Sequence, residues 1–351
     1  MRLRLEHGRR DDLKTLHPAY FALVMATGIV SVATYLHGIP VLPKVLFWLN
    51  TLFLAGLLTA TGARILQYPR AFTADIQNHS RGVGFFTTVA ALAVFGTELV
   101  LLMDAAGIAA MFWIAAAVLW FVTIYGVLAV LTVKPDKPRL ADGLNGGWLV
   151  SAVAFQAVAM LTVLISAAGV LAGFERPLLF AALVLWLGGG ALYLWIMTLI
   201  FFRYTFVQMA PEDLTPPYWI NMGAVAISAL VGATLLEHDA LSRDVAEIVP
   251  FVKGFTLFYW AIATCWIPML LVLGFWRYLI CGVPLAYDPL YWGGVFPLGM
   301  YSVSTYHLAK ILAAPFLMPL SQLFMVVAVL AWAATFAGLV DSRLWRPRSP
   351  D

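Results

Sequence analysis

Charge is scarce in this chain of 351 residues: Asp, Glu, Lys and Arg together make up 11% of it. A water-soluble domain carries about a quarter charged residues, so a globule facing water on every side is excluded. Disorder is excluded by the opposite abundance, since 62% of the residues are hydrophobic and disordered chains are poor in them. Cysteine is nearly missing. Cys265 and Cys281 both fall in or beside one apolar stretch, which argues for small buried residues and against a disulfide framework. The net charge of +3 is too small to argue for nucleic acid as a partner. What remains is a chain whose solvent is largely lipid.

Apolar runs dominate, and the mean hydropathy is +0.90. At roughly 20 apolar residues per crossing, runs bounded by charge, Pro or Gly predict ten transmembrane helices. They cover 18–36, 45–66, 83–105, 109–133, 147–172, 177–202, 219–236, 250–280, 289–312 and 318–340. The seventh is the shortest, and Pro268 is expected to bend the eighth. The basic start, MRLRLEHGRRDDLK, runs into the first span without a small-residue cleavage site, so it reads as a leading segment and not as a signal peptide. Loops are short. The expected organisation is a single membrane domain over 1–351: an N-terminal segment 1–17, a ten-helix core 18–340 and a tail 341–351.

An even number of spans puts both termini on one side, and the cations choose that side. Lys44, Arg176, Arg243, Lys253 and Lys310 fall on one face of the bilayer, and the rest of the 21 Lys and Arg fall on the other. By the positive-inside rule the crowded face is cytoplasmic. The chain is therefore expected in the cell membrane, multi-pass, with both termini in the cytoplasm.

The odd-numbered spans share an opening. Residues 17–33 set against 288–304 match at Pro18/Pro289, Tyr20/Tyr291, Val24/Val295, Gly28/Gly299, Ser31/Ser302 and Val32/Val303. The third, fifth and seventh spans also open with Gly or Pro before an aromatic: Gly82–Val83–Gly84–Phe85, Gly147–Trp148 and Pro216–Pro217–Tyr218–Trp219. The even spans do not repeat this. The chain thus reads as five helical hairpins, with odd-numbered inner helices lining a pore and even-numbered outer helices around them, an internal repeat of the kind common in transport proteins.

About one helical turn past each opening aromatic lie Met25, Val89 or Ala90, Ala152, Gly223 and Phe296. Around a common axis these make a constriction of small residues, one flexible Met and one large ring, Phe296, which serves as the gate. Apolar constrictions block ions by dewetting; the competing reading is close helix packing on small residues. At 100° per residue, His307 and Lys310 share the helix face of Phe296. Cations on that face would attract anions; snorkelling of Lys310 is the alternative. Glu98 is the one carboxylate deep in a span, and such a group is functional by default. It is expected either to couple protons to transport or to form an ion pair with Lys253 or Lys310.

FALVMATGIVS (21–31), DIQNHSRG (75–82) and YWGGVFPLGMYSVS (291–304) resemble segments of the tellurite-resistance/dicarboxylate transporter family, which includes malate permeases and plant slow anion channels. The resemblance implies a homotrimer in which each protomer has its own pore of five inner helices, closed by a Phe that Phe296 matches. The absence of Pro from the third and fifth spans departs from the family's kinked inner helices. The expected function is transmembrane transport of small anions, C4-dicarboxylates such as malate and succinate or oxyanions such as tellurite and sulfite, with or without proton coupling. A Phe-gated passive channel for chloride or nitrate is the alternative. A membrane-embedded enzyme or haem protein is the remote one, because His7, His17, His37, His79, His238 and His307 are scattered and no paired axial ligands or nucleophile with its base stand out. No catalytic residue, cofactor or metal is expected.

Overall fold

The computed structural model describes residues 13–238 and 246–344. Arg2, Arg4, Arg9, Arg10, Arg243, Arg346 and Arg348, which carry part of the charge asymmetry, lie outside the described residues, as does His7. Ten long helices are present among those described: α1 (Ala22–Leu36), α2 (Leu42–Gln67), α3 (Phe86–Met103), α4 (Ala106–Val133), α5 (Val150–Ala167), α6 (Glu175–Phe206), α7 (Ile220–Glu237), α8 (Val249–Phe275), α9 (Trp292–Ile311) and α10 (Met318–Leu344). A membrane leaves the backbone no water to bond, so helices that satisfy themselves are the natural solution. Hydroxyls inside the spans follow the same rule, Thr27 donating to the Leu23 carbonyl at 2.8 Å and Thr97 to that of Ala93 at 3.0 Å.

Nine of the described helices are long and apolar enough to cross a membrane by composition alone. The tenth, α9, is of similar length but carries Gly, Ser, Thr, Tyr and His. It tolerates them because it is buried: Trp292, Tyr301, Ser302, Ser304 and Thr305 are nearly or fully inaccessible.

The odd helices form a closed ring, α1 on α3, α3 on α5, α5 on α7, α7 on α9 and α9 back on α1. Each even helix packs on the odd helix before it and also leans on the next one around the ring. The inner and outer sets differ sharply in burial. The spans of α1, α3, α5 and α7 are 72% to 94% buried, whereas those of α2, α4, α6, α8 and α10 are 11% to 44% buried. The outer helices expose large apolar side chains such as Trp48, Met111, Phe121, Phe180, Trp195, Leu271 and Leu330, a surface suited to lipid. Cys265 and Cys281 belong to this exposed set and not to the core, because the stretch that carries them is an outer helix with its trailing turn.

The shared opening of the odd spans is a structural unit. Every ring helix begins with a 3-10 turn: Pro18–Phe21, Gly82–Phe85, Gly146–Leu149, Pro216–Trp219 and Pro289–Tyr291. Three turns are capped alike, the side chains of His17, Asn145 and Asp288 each accepting from the N–H two residues on. The five turns touch one another in the same circular order as the helices. The matched serines are equivalent too. Ser31 donates to the Pro43 carbonyl at 2.8 Å and Ser302 to the Ser321 carbonyl at 2.7 Å, each fastening a ring helix to the start of its own outer partner.

A second set of bonds runs from each outer helix to the next ring helix. Trp113 Nε1 donates to Thr162, Trp186 Nε1 to the Ser228 carbonyl, Trp260 Nε1 to Thr305 and Trp332 Nε1 to Thr27, at 2.7–2.9 Å. These join α4 to α5, α6 to α7, α8 to α9 and α10 to α1. Between α2 and α3 the corresponding bond is Asn50 Nδ2 to Glu98 Oε2, at 2.6 Å.

Candidate functional site: a vestibule on the ring axis

At the end where the ring helices begin, a cavity of about 460 Å³ opens on the axis. All five odd helices line it, with steps of three or four residues. The deepest side chain from α1 is Met25, from α5 Val153 and from α9 Phe296; α3 contributes Thr87 and α7 Ile220. Met25, Val153 and Phe296 are each 3% exposed or less, and they form the floor. Beyond it lies a separate pocket of about 20 Å³ lined by Ile29, Val94, Thr97, Ala157, Ile227 and Met300, among others, again from all five ring helices. The floor and the walls between the two spaces are apolar, which opposes the passage of a hydrated ion.

The expected constriction residues separate into two groups. Met25 and Phe296 line the vestibule. Ala90 and Gly223 stand at the same level by register, midway between Thr87 and Val94 on α3 and between Ile220 and Ile227 on α7. Both are buried, and neither reaches the cavity. Gly223 instead receives the ring of Pro297, whose Cγ would lie 2.7 Å from a Cβ at that position. Ala152 does not line the cavity; Val153 takes that place. The 3-10 turn before α5 ends on Leu149 and not on Trp148, so counting from the tryptophan lands one residue short.

His307 and Lys310 lie at the far end of α9 and line neither space. His307 Nδ1 is 2.9 Å from a carboxylate oxygen of Glu237, and Lys310 places its ammonium 4.5 Å from the centre of the Tyr306 ring. Glu98 is fully buried, bonds to Asn50 and not to Lys253 or Lys310, and also lines neither space. Among the described residues no group of three His, Cys, Asp or Glu side chains is arranged as metal ligands would be.

Several lining groups carry no sequence signal of their own. Arg203, from the end of the outer helix α6, reaches the vestibule wall, where it is buried and donates to the Leu144 carbonyl and the Tyr218 hydroxyl. Its nearest carboxylate contact is loose, 3.9 Å to Asp213. His17 lines the mouth and accepts from the Ala19 N–H at 3.0 Å. Burial, helped by the nearby Arg81 guanidinium, holds its imidazole well below the usual range and therefore neutral. The DIQNHSRG segment explains how His17 gets there. Asp75 binds Arg64 at 2.7 Å and Arg81 at 2.6 Å, while these arginines donate to the carbonyls of Lys14, Thr15 and Leu16. Asn78 folds the tight turn by accepting from the N–H groups of Ser80 and Arg81.

Residues 15–340 match the family model described as voltage-dependent anion channel (SLAC1). The chain belongs to that family. Similar proteins to this SLAC1-family member include an uncharacterized membrane protein of Mycobacterium tuberculosis, 35% identical over 150 residues, covering 42% of this chain and 75% of the relative. Two uncharacterized transporters of Methanocaldococcus jannaschii match more of it. One is 25% identical over 308 residues, 85% of this chain and 86% of the relative; the other is 24% identical over 309 residues, 86% of each. Family and fold together describe a multi-pass membrane protein of the anion transport and channel type.

Proposed function

We propose that this SLAC1-family chain carries small anions across the cell membrane along the axis of its five-helix ring, with Phe296 as the gate. The observation behind this is the Phe296 ring lying on the floor of a cavity that all five inner helices line. The cargo is a C4-dicarboxylate such as malate or succinate, or an oxyanion such as tellurite or sulfite. Residues 18–340 act as one transport unit, the vestibule faces the cytoplasm together with both termini, and three copies assemble with one path each. Arg203, a buried guanidinium in the vestibule wall with only a loose carboxylate partner, favours negative solutes there. Pro297 follows the gate directly and removes one helical hydrogen bond beside it, which eases displacement of the ring.

One observation favours a passive chloride or nitrate channel as the second reading: Glu98, the carboxylate that would link protons to anions, does not line the path. Flux of an anion panel into proteoliposomes, with and without a pH gradient, separates the two. Carriage predicts dicarboxylate or oxyanion uptake that saturates, and a channel predicts chloride or nitrate flux that follows the membrane potential. In either case Phe296→Ala is expected to raise flux several-fold. No flux for any anion, in wild type and folded Phe296→Ala alike, removes transport from the reading.

A further inference from the structure

The Asn50–Glu98 contact is the odd member of the five bonds that tie an outer helix to the next ring helix. The other four are neutral, a tryptophan N–H donating to a hydroxyl or a carbonyl. Glu98 also stands within one residue of the places of Thr162 and Thr305, counted from the lining residues Val94, Ala157 and Met300. Both Asn50 and Glu98 are 0% exposed. Asn50 Nδ2 donates to Glu98 Oε2 at 2.6 Å, and two atoms are then left without partners: Oδ1 of Asn50 and Oε1 of Glu98. Both are acceptors while Glu98 is ionised, so neither can satisfy the other.

Among the described residues no cation answers the carboxyl either. The titratable groups of the elements packed on α3 are Tyr20 in the opening turn, Tyr35 on α1, Lys44 and Arg64 near the ends of α2, and Tyr125 on α4; α5 has none. Asp104 caps α3 at its far end. Arg64 is bound to Asp75 and to the Lys14 carbonyl, and Ser31, which faces the same carboxyl, commits its hydroxyl to Pro43. Gly28 on α1 closes the site, since a Cβ there would lie 3.0 Å from both Asn50 Nδ2 and Glu98 Oε2. An unpaired carboxylate in such a place is costly. One proton would supply the missing donor: an O–H on Oε1 directed at Oδ1 of Asn50 would leave neither atom without a partner and close a cyclic pair of hydrogen bonds.

We propose that Glu98 and Asn50 form a neutral acid–amide clamp between α2 and α3, a buried proton-binding site beside the anion path and outside it. The proton is taken from water when the site assembles and stays in place. Glu98 is then a positioning residue that holds an outer helix against the ring, as the four tryptophans do elsewhere. This inference is independent of the transported solute.

Infrared difference spectroscopy of purified protein near neutral pH, wild type against Glu98→Gln, tests it without transport. The expected result is a protonated-carboxyl C=O band in the wild type that shifts in D2O and is missing in the variant. Glu98→Gln should keep the wild-type melting temperature, because a glutamine amide pairs with Asn50 in the same cyclic way. Asn50→Ala, which leaves the acid and removes its partner, should move the band to higher wavenumber. Carboxylate bands in place of the acid band, or an acid band that Asn50→Ala leaves unmoved, overturn the clamp.

Discussion

Pro297 of α9 is seated in the space left by the missing side chain of Gly223 on α7: its Cγ would be 2.7 Å, and its Cβ 3.0 Å, from a Cβ at that position. The contact lies one residue beyond Phe296, so the proposed gate and a close approach of these two ring helices share one turn. Gly223→Val is expected to push α7 from α9 and to lower stability by about 1–3 kcal/mol, the usual range for overpacking. A thermal melt of purified protein reads the loss, and an unchanged melting temperature refutes the seating.

Val153 and Ala152 are neighbours with different surroundings, one on the vestibule floor and one in the helix interface. With the exposed Cys265 and Cys281 first replaced by serine, Val153→Cys should react with a small water-soluble thiol reagent and be protected by a bulky reagent already lodged in the vestibule. Ala152→Cys should react far more slowly. Equal rates would mean that the floor is drawn from the wrong face of α5.

His17 makes stability depend on pH with a definite sign. The fold favours the neutral imidazole, whose Nδ1 accepts the Ala19 N–H; the unfolded chain has the ordinary histidine value. Stability from this group is therefore complete above about pH 6.5 and declines as the pH falls toward the depressed folded value. His17→Asn keeps an acceptor at the cap and cannot titrate, so its melting temperature should fall less between pH 7 and pH 5. Parallel decline of both proteins would assign the effect to other groups.

Trp332 and Thr27 connect the last helix to the first. A double-mutant cycle with Trp332→Phe and Thr27→Val should give a coupling of about 0.6 kcal/mol, the average for hydrogen bonds between membrane helices. The test is the non-additivity of the two melting shifts; strict additivity would mean the bond contributes nothing.

Much of this architecture was legible in the sequence for simple reasons. Ten apolar runs set the helices, and the Pro- or Gly-aromatic openings marked the 3-10 turns that distinguish inner from outer. The phase of each inner helix was less legible. Phe21, Phe85 and Trp219 each end their 3-10 turn, but Trp148 stands one residue before the end of its own, which is why α5 presents Val153 and not Ala152. The partners of charged groups were least legible. Glu98 meets Asn50, 48 positions away, and His307 meets Glu237, 70 positions away, because ring closure and not sequence distance decides who meets. Arg203 was recognisable only as one of the loop cations until α6 was seen to deliver it to the vestibule wall.

The bond from Trp332 to Thr27 spans 305 positions, and its location means that the ring cannot close before both ends of the chain are in place. Hairpins made early can dock on their neighbours as they emerge, but the circle stays open until α9 and α10 arrive. The first helix must wait, with one flank uncovered, for the last pair. The circular wall that surrounds Phe296 therefore cannot be complete before that last pair is in place.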